Sequence, residues 1–238
     1  MAKKKSKIVL SIVAHPDDVE FGCGATMAKL SSEGHKLYFV ICTAGNRGSR
    51  HHKRGVDELV EMRKEEQRNA AKILGADDVI FLNYPDGELT PDIKFKEDLV
   101  KLIRRYKPDM VFTHDPSWIY RTGSDYGFVN HNDHRSCGIA VLDASYPLAR
   151  DITSFPEHQE EGLEPHKVKE IYMFNFDKPN HFVDVTKFLD LKIESIRAHT
   201  SQIDDPAWVK TWVTERAQRL GRRAKVKYAE GFTKLTLR

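Results

Sequence analysis

The chain has 238 residues, 40% of them hydrophobic and 31% charged, with a formal charge of +3. That length provides for one large domain with a proper core, and so slight a charge gives no electrostatic footprint for nucleic acid. No run is apolar and long enough for a signal peptide or a membrane span, and Cys23, Cys42 and Cys137 form no CxxC pair, which fits a reducing, cytoplasmic setting.

In chain order, residues 1–6, with Lys3, Lys4 and Lys5, read as a solvated flexible tail. Residues 7–13 are β-branched and nearly free of charge, the pattern of a buried parallel strand. A helix is expected over 24–33, a strand over 36–42, a helix over 56–74 closed by Gly75, and a strand over 78–81. A helix over 95–106 and a strand over 110–113 follow. Residues 117–130, rich in Gly, Ser and aromatics, read as a rim or lid loop. Helical character resumes over 134–144, and residues 151–167 look like an excursion from the core. Further strands are expected over 168–174 and 182–185. A helix over 186–199 takes Thr186 as its cap. A last helix over 206–220 carries Trp208 and Trp212 on one face, read as core or a subunit contact rather than a sugar platform. The basic cluster from Arg222 to Lys227 reads as solvated surface.

Strand-helix alternation with short links predicts a single α/β domain over residues 1–238. Its sheet is expected to be mostly parallel and Rossmann-like, with helices on both faces. In such a sheet the loops after the strands share one side, where open α/β folds place their ligands. Those loops are His15-Pro16-Asp17-Asp18, Thr43 to Ser49, Asn83 to Gly87 and His114-Asp115-Pro116.

No stability argument asks for an imidazole and two carboxylates at the end of a first strand. A metal site does. His15 and Asp18 can reach one cation, both being good Zn²⁺ ligands, and a spare carboxylate can serve as general base. A third ligand is expected from His131-Asn132-Asp133-His134, whose two histidines share one helical face, so that either completes the site. His114 reads equally as a turn or a pocket residue, while His51, His52, His158 and His166 are expected in solvent. Arg63 and Glu66, three apart on a helix, have an ordinary surface ion pair as the plain alternative. Cys23 reads as a small buried residue rather than a reactive thiol. A dinucleotide reading of Gly22-Cys23-Gly24 fails, because the third glycine is missing and the preceding carboxylates would repel a pyrophosphate.

Ala14-His15-Pro16-Asp17-Asp18-Val19-Glu20, then Gly22-Cys23-Gly24-Ala25-Thr26, and later His131-Asn132-Asp133-His134-Arg135, resemble the signatures of the LmbE-like, or PIG-L-like, N-deacetylases. The resemblance extends over Thr43 to Ser49, Arg63 with Glu66, Tyr84-Pro85-Asp86-Gly87 and Tyr228-Ala229-Glu230-Gly231-Phe232. Such proteins are zinc-dependent and hydrolyse the N-acyl amide of N-acetylglucosamine conjugates and related amides. The resemblance implies that His15, Asp18 and His134 hold Zn²⁺, and that Asp17 is the general base toward the attacking water. His131 would stabilise the oxyanion as a positive charge or help protonate the leaving amine, and Asp133 would orient a histidine from behind. Arg63, Asp86 and Arg47 are expected beside the substrate. Asn132 stands where relatives commonly carry Pro, which should alter the turn but not the ligand set.

The expected function is thus zinc-dependent removal of an N-acetyl group from a small N-acetylglucosamine-containing molecule. Its alternatives are an amidase on a thiol or antibiotic conjugate, a phosphoesterase, or a non-catalytic sugar-binding protein. A two-metal phosphoesterase would need more carboxylates than these motifs supply. Fe²⁺, Co²⁺ and Mn²⁺ also suit a two-histidine, one-aspartate set. Homo-oligomers are common among relatives.

Overall fold

The computed structural model describes residues 5–47, 55–122 and 127–238. Lys3 and Lys4 of the expected tail, Ser49, His51 and His52 lie outside the described residues. β1 (Ile8–Val13), α1 (Asp18–Ser32), β2 (Lys36–Thr43), α2 (Val56–Leu74), β3 (Asp78–Tyr84), α3 (Ile93–Tyr106) and β4 (Met110–Thr113) alternate through the first half. A hairpin of β5 (Tyr120–Thr122) and β6 (Gly127–Val129) precedes α4 (Asn132–Asp143). β7 (Glu170–Phe174), β8 (His181–Asp184), α5 (Leu189–Arg197), α6 (Pro206–Ala224) and β9 (Ala229–Thr236) complete the chain.

The main sheet runs β3-β2-β1-β4-β7-β9-β8. Pairing is parallel from β3 through β7, and antiparallel on both sides of β9. β1 lies inside the sheet, between β2 and β4, with both its faces covered. Leu10 and Ile12 pack with Phe95, Leu99 and Ile103 of α3 and Val141 of α4. Val9 and Val13 face the other way, onto Val19 and Met27 of α1 and Leu74 of α2. Full burial of one such aliphatic side chain contributes about 1.5–3 kcal/mol, so a single charge in β1 would be costly. The result is the expected single-domain α/β fold with helices on both faces. No helix among the described residues is long and apolar enough to cross a membrane.

Several elements depart from expectation, most of them through distant partners. α1 starts at Asp18 rather than residue 24, and Cys23 interrupts it with φ −148° and ψ 17°. The helix restarts behind that kink on a distant carboxylate. Ala25 N–H and Thr26 N–H donate to the two oxygens of Glu230 on β9. Lys192 Nζ of α5 neutralises Glu230 and donates to Phe21 O at 2.9 Å. Both charged residues are buried. Lys192→Met is therefore expected to strand a buried carboxylate and cost about 3–5 kcal/mol in urea unfolding at neutral pH. A loss below about 1 kcal/mol would mean that the helix restart does not depend on the pair.

Thr186 is not the cap of α5, which begins at Leu189 behind Phe188. Its amide and hydroxyl instead donate to Asp184 Oδ1 at 3.0 and 2.6 Å, closing a local turn. Residues 151–167 are more than an excursion, and His158 is fully buried rather than solvated. Arg104 of α3, itself buried, donates to the carbonyls of Leu148, Ala149, Asp151, Ser154 and Phe155, and lies 3.1 Å from His158 Nδ1. His166 is partly buried too, donating to Pro108 O at 2.7 Å. Trp208 is half exposed and so not core, while Trp212, partly covered, packs against the hydrophobic cluster of α5 and α6. All three cysteines are free and buried, and burial pushes the Cys23 thiol well up, as suits an inert packing residue.

Candidate active site

β1 delivers His15 and Asp17, and Asp18 opens α1, where a carboxylate complements the helix dipole. His15 N–H donates to Asp18 Oδ2 at 2.7 Å, which fixes the turn. α4 delivers the second cluster. His131 caps this helix, its Nδ1 accepting from Asp133 N–H at 3.2 Å. His134 Nε2 then lies 3.3 Å from His15 Nδ1 and 3.2 Å from Asp18 Oδ1. One ligand atom each from His15, Asp18 and His134 falls within 4.8 Å of the others.

The opposite edge of the His15 ring is held by carboxylates. Nε2 is 3.2 Å from Asp133 Oδ2 and 3.1 Å from Asp86 Oδ1. A proton on Nε2 leaves the Nδ1 lone pair facing Asp18 and His134, the way a carboxylate orients a metal-binding histidine. A second trio, His15, Asp86 and His131, also converges. It would need Nε2, which Asp133 already engages. Asp133 ties this side together by accepting from Gly87 N–H at 2.7 Å and Leu89 N–H at 3.2 Å.

The electrostatics call for a cation. Burial opposes charge on His15, yet hydrogen bonds to Asp133, Asp18 and Asp86 together push its pKa up to about 12. Burial likewise opposes ionisation of Asp18, while His134 and His114 hold it well below the usual carboxylate range. Asp133 is down at about 2, its His15 and backbone hydrogen bonds outweighing burial. Asp17 is the exception. Burial, then its neighbour Asp18, lifts it to about 6 against the pull of Arg63. Its backbone sits at φ 92°, a strained value for a residue with a side chain. His131 is lowered by burial and by His15 and His134, which favours a neutral ring over the expected positive charge.

Arg63 and Glu66 form no surface pair. Both are buried and turn to different partners. Arg63 donates to Gly45 O and Pro16 O at 3.0 Å and lies 3.6 Å from Asp17 Oδ2. Glu66 accepts from Thr200 Oγ1 and from the Ser201 amide and hydroxyl, each at 2.7 Å. Gly45, at φ +61°, leaves room for Arg63, since a Cβ there would lie 2.8 Å from the guanidinium. Arg47 meets Asp86 through its backbone N–H at 3.1 Å, and its guanidinium pairs with Glu88 at the rim.

The sequence leaves His114 open between turn and pocket, and assigns no role to Gln67 or His199. His114 is a pocket residue, stacked on His134 with ring centres 4.1 Å apart. Its Nε2 accepts from Ala14 N–H at 3.1 Å, and burial with His134 nearby lowers its pKa to about 4. Gln67, one turn beyond Arg63, accepts from Asp17 N–H and donates to Glu20 Oε1, both at 2.9 Å. His199 closes this buried line, its Nε2 lying 3.4 Å from Glu20 Oε2. Spacing on α2 (Arg63 and Gln67 at i and i+4) was the available signal for Gln67.

Two clefts meet at Asp18 and His134. A polar one of about 330 Å³ is lined by Asp17, Arg47, Arg63, Asp86 and His131 among others. An aromatic one of about 320 Å³ is walled by Phe21, Trp118, Phe174, Phe176 and Trp212.

The model of the PIG-L family, described as GlcNAc-PI de-N-acetylase, matches residues 10–145. The diacetylchitobiose deacetylase of Thermococcus kodakarensis is 29% identical over 231 residues, spanning 94% of this chain and 82% of that protein. The N,N'-diacetylchitobiose deacetylase of Pyrococcus horikoshii, solved with its inhibitor MPG, superposes with a TM-score of 0.88 at 31% identity, covering 98% of this chain and 85% of that one. The 4-carboxy-2-hydroxymuconate hydratase of Pseudomonas putida KT2440 shares the fold alone, with a TM-score of 0.78 at 23% identity over 98% and 97% of the two chains. The chain belongs to the PIG-L family and is an enzyme of that family.

Proposed function

We propose that the chain is a zinc-dependent N-deacetylase acting on a small N-acetylglucosamine-containing molecule. The observation that carries this reading is the convergence of His15 Nδ1, His134 Nε2 and an Asp18 carboxylate oxygen beside Asp17, which lies outside that set. Two imidazole nitrogens and one carboxylate suit Zn²⁺ and leave a position open. The charge balance suits it as well, because three carboxylates turn toward His15 and otherwise hold a proton on it. The activities named for the Thermococcus and Pyrococcus relatives give the substrate class.

When bound, Zn²⁺ supplies Lewis-acid polarisation of the amide carbonyl and makes water more acidic. The remaining work falls to the chain. Asp17 takes a proton from the attacking water, and a pKa raised toward neutrality suits a general base. The water oxygen joins the acyl carbon, and the carbon–nitrogen bond breaks. Asp17 then gives that proton to the leaving nitrogen, while neutral His131, whose Nδ1 accepts the Asp133 amide, donates its Nε2 N–H to the developing oxyanion. Asp133 and Asp86 hold the His15 ring from behind. Asp86, Arg47 and the Arg63 that braces the Asp17 turn line the cleft for the sugar hydroxyls.

Incubation with N-acetylglucosamine, N,N'-diacetylchitobiose and N-acetylglucosaminyl conjugates is expected to release acetate and free amine in equal amounts. Addition of water without cleavage of a carbon–nitrogen bond, or no release from metal-loaded protein, would overturn the reading.

A further inference from the structure

An acetyl group leaves most of the aromatic cleft unused. Across its wall lies Arg216 of α6, whose guanidinium carbon is 3.9 Å from the centre of the Trp212 ring and 4.0 Å from that of Phe176. Stacking between two rings holds the planar group rigid, as the compact ammonium on lysine's flexible stem would not be held. Arg121 is placed likewise, 4.2 Å over Trp118, but it also pairs with Asp177. Arg219 takes the other oxygen of the same carboxylate. Arg216 is left with no hydrogen bond and no ion pair among the described residues. Burial, with Arg219 and Arg121 nearby, lowers its pKa to about 10 against the pull of Asp177. A half-buried cation with rigid, unused donors lacks an anion.

The chemistry fixes which end of a substrate reaches it. Asp17 and His131 line the polar cleft and not the aromatic one. The amide nitrogen has to stay within reach of Asp17 to gain its proton, so the amine's carrier occupies the polar cleft. The substituent on the carbonyl carbon then passes Asp18 and His134 into the aromatic cleft, which those two residues also line.

We propose that the aromatic cleft is an acyl-side binding site, taking an acyl group with an apolar body and a terminal carboxylate held by Arg216. This rests on the amide-hydrolysis reading for its orientation. The reaction is unchanged in kind. Water's oxygen joins the acyl carbon, the carbon–nitrogen bond breaks, the nitrogen gains the proton that Asp17 took from the water, and a dicarboxylate leaves with the free amine.

Trp118 and Trp212 make the cleft visible to fluorescence, so binding is measured apart from turnover. Zinc-loaded protein is titrated with 3-phenylpropionate and with its neutral amide. The carboxylate is expected to bind about ten- to a hundredfold more tightly. In Arg216→Gln that ratio falls toward one, and Arg216→Lys restores part of it. Equal binding of the two probes by the unaltered protein would overturn the proposal, and that comparison decides alone should Arg216→Gln fail to fold. A ratio that survives Arg216→Gln would place the carboxylate on the metal and overturn it too, as would displacement of the probe by N,N'-diacetylchitobiose, which would make the cleft a sugar site. Loss of every deacetylase activity, with the Arg216-dependent ratio intact, would sink the deacetylase reading and leave the anion site standing.

Discussion

Asp17→Asn is expected to lower turnover about 10²- to 10⁴-fold while the protein keeps its zinc and its stability. The carboxylate lies outside the converging trio, so its loss removes no ligand. The amide that anchors it survives the substitution, because Asp17 N–H, not the side chain, donates to Gln67 Oε1. Asparagine also tolerates the left-handed backbone at φ 92° better than most residues. What disappears is the one carboxylate near the metal site whose pKa stands close to neutral, at about 6, through burial and the neighbouring Asp18. Steady-state kinetics with parallel metal analysis check this. Unchanged turnover would take Asp17 out of the reaction, and loss of zinc together with activity would make it a ligand.

His134→Ala should act on the metal itself. The side chain lies 3.3 Å from His15 Nδ1 and 3.2 Å from Asp18 Oδ1, and its removal leaves two of three ligands. Zinc affinity, read by competition with a chelator, is expected to fall by more than the roughly 10- to 100-fold typical of outer-shell changes. His131→Ala should keep the metal and lose activity, since His131 serves as helix cap and as hydrogen-bond donor to the developing oxyanion. The opposite pattern, with His134 dispensable for zinc and His131 required, would move the ion to the trio of His15, Asp86 and His131.

What the sequence made legible was local. β1 reads as a buried strand because Val9, Leu10, Ile12 and Val13 are apolar on both faces. His15-Pro16-Asp17-Asp18 stands out because ionisable residues follow that run at once, and His131 with His134 because they sit one turn apart at a helix start. Parallel topology then joins two clusters more than a hundred residues apart, and the structure brings their side chains within hydrogen-bonding distance. The rest depended on distant partners. β9 exists through pairing with β7 and β8, which no local pattern announces. The restart of α1 behind its Cys23 kink depends on Glu230, some two hundred residues on. His158 looks like a surface histidine until Arg104 draws the chain over α3. Trp212 reads as core or a subunit contact, and Arg216 one turn on carries no reading, because the sequence does not disclose that Phe21, Trp118 and Phe176 meet them across a cleft.

On the proposed function, one metal ion held by His15, Asp18 and His134 drives deacetylation. Zinc titrated into chelator-stripped protein, with amine release from an N-acetylglucosamine substrate followed at each addition, tests it most directly. Turnover should be absent at the start, rise in proportion to bound zinc and level off at a single equivalent. Full turnover in the stripped protein, or a rise that continues to a second equivalent, would contradict it.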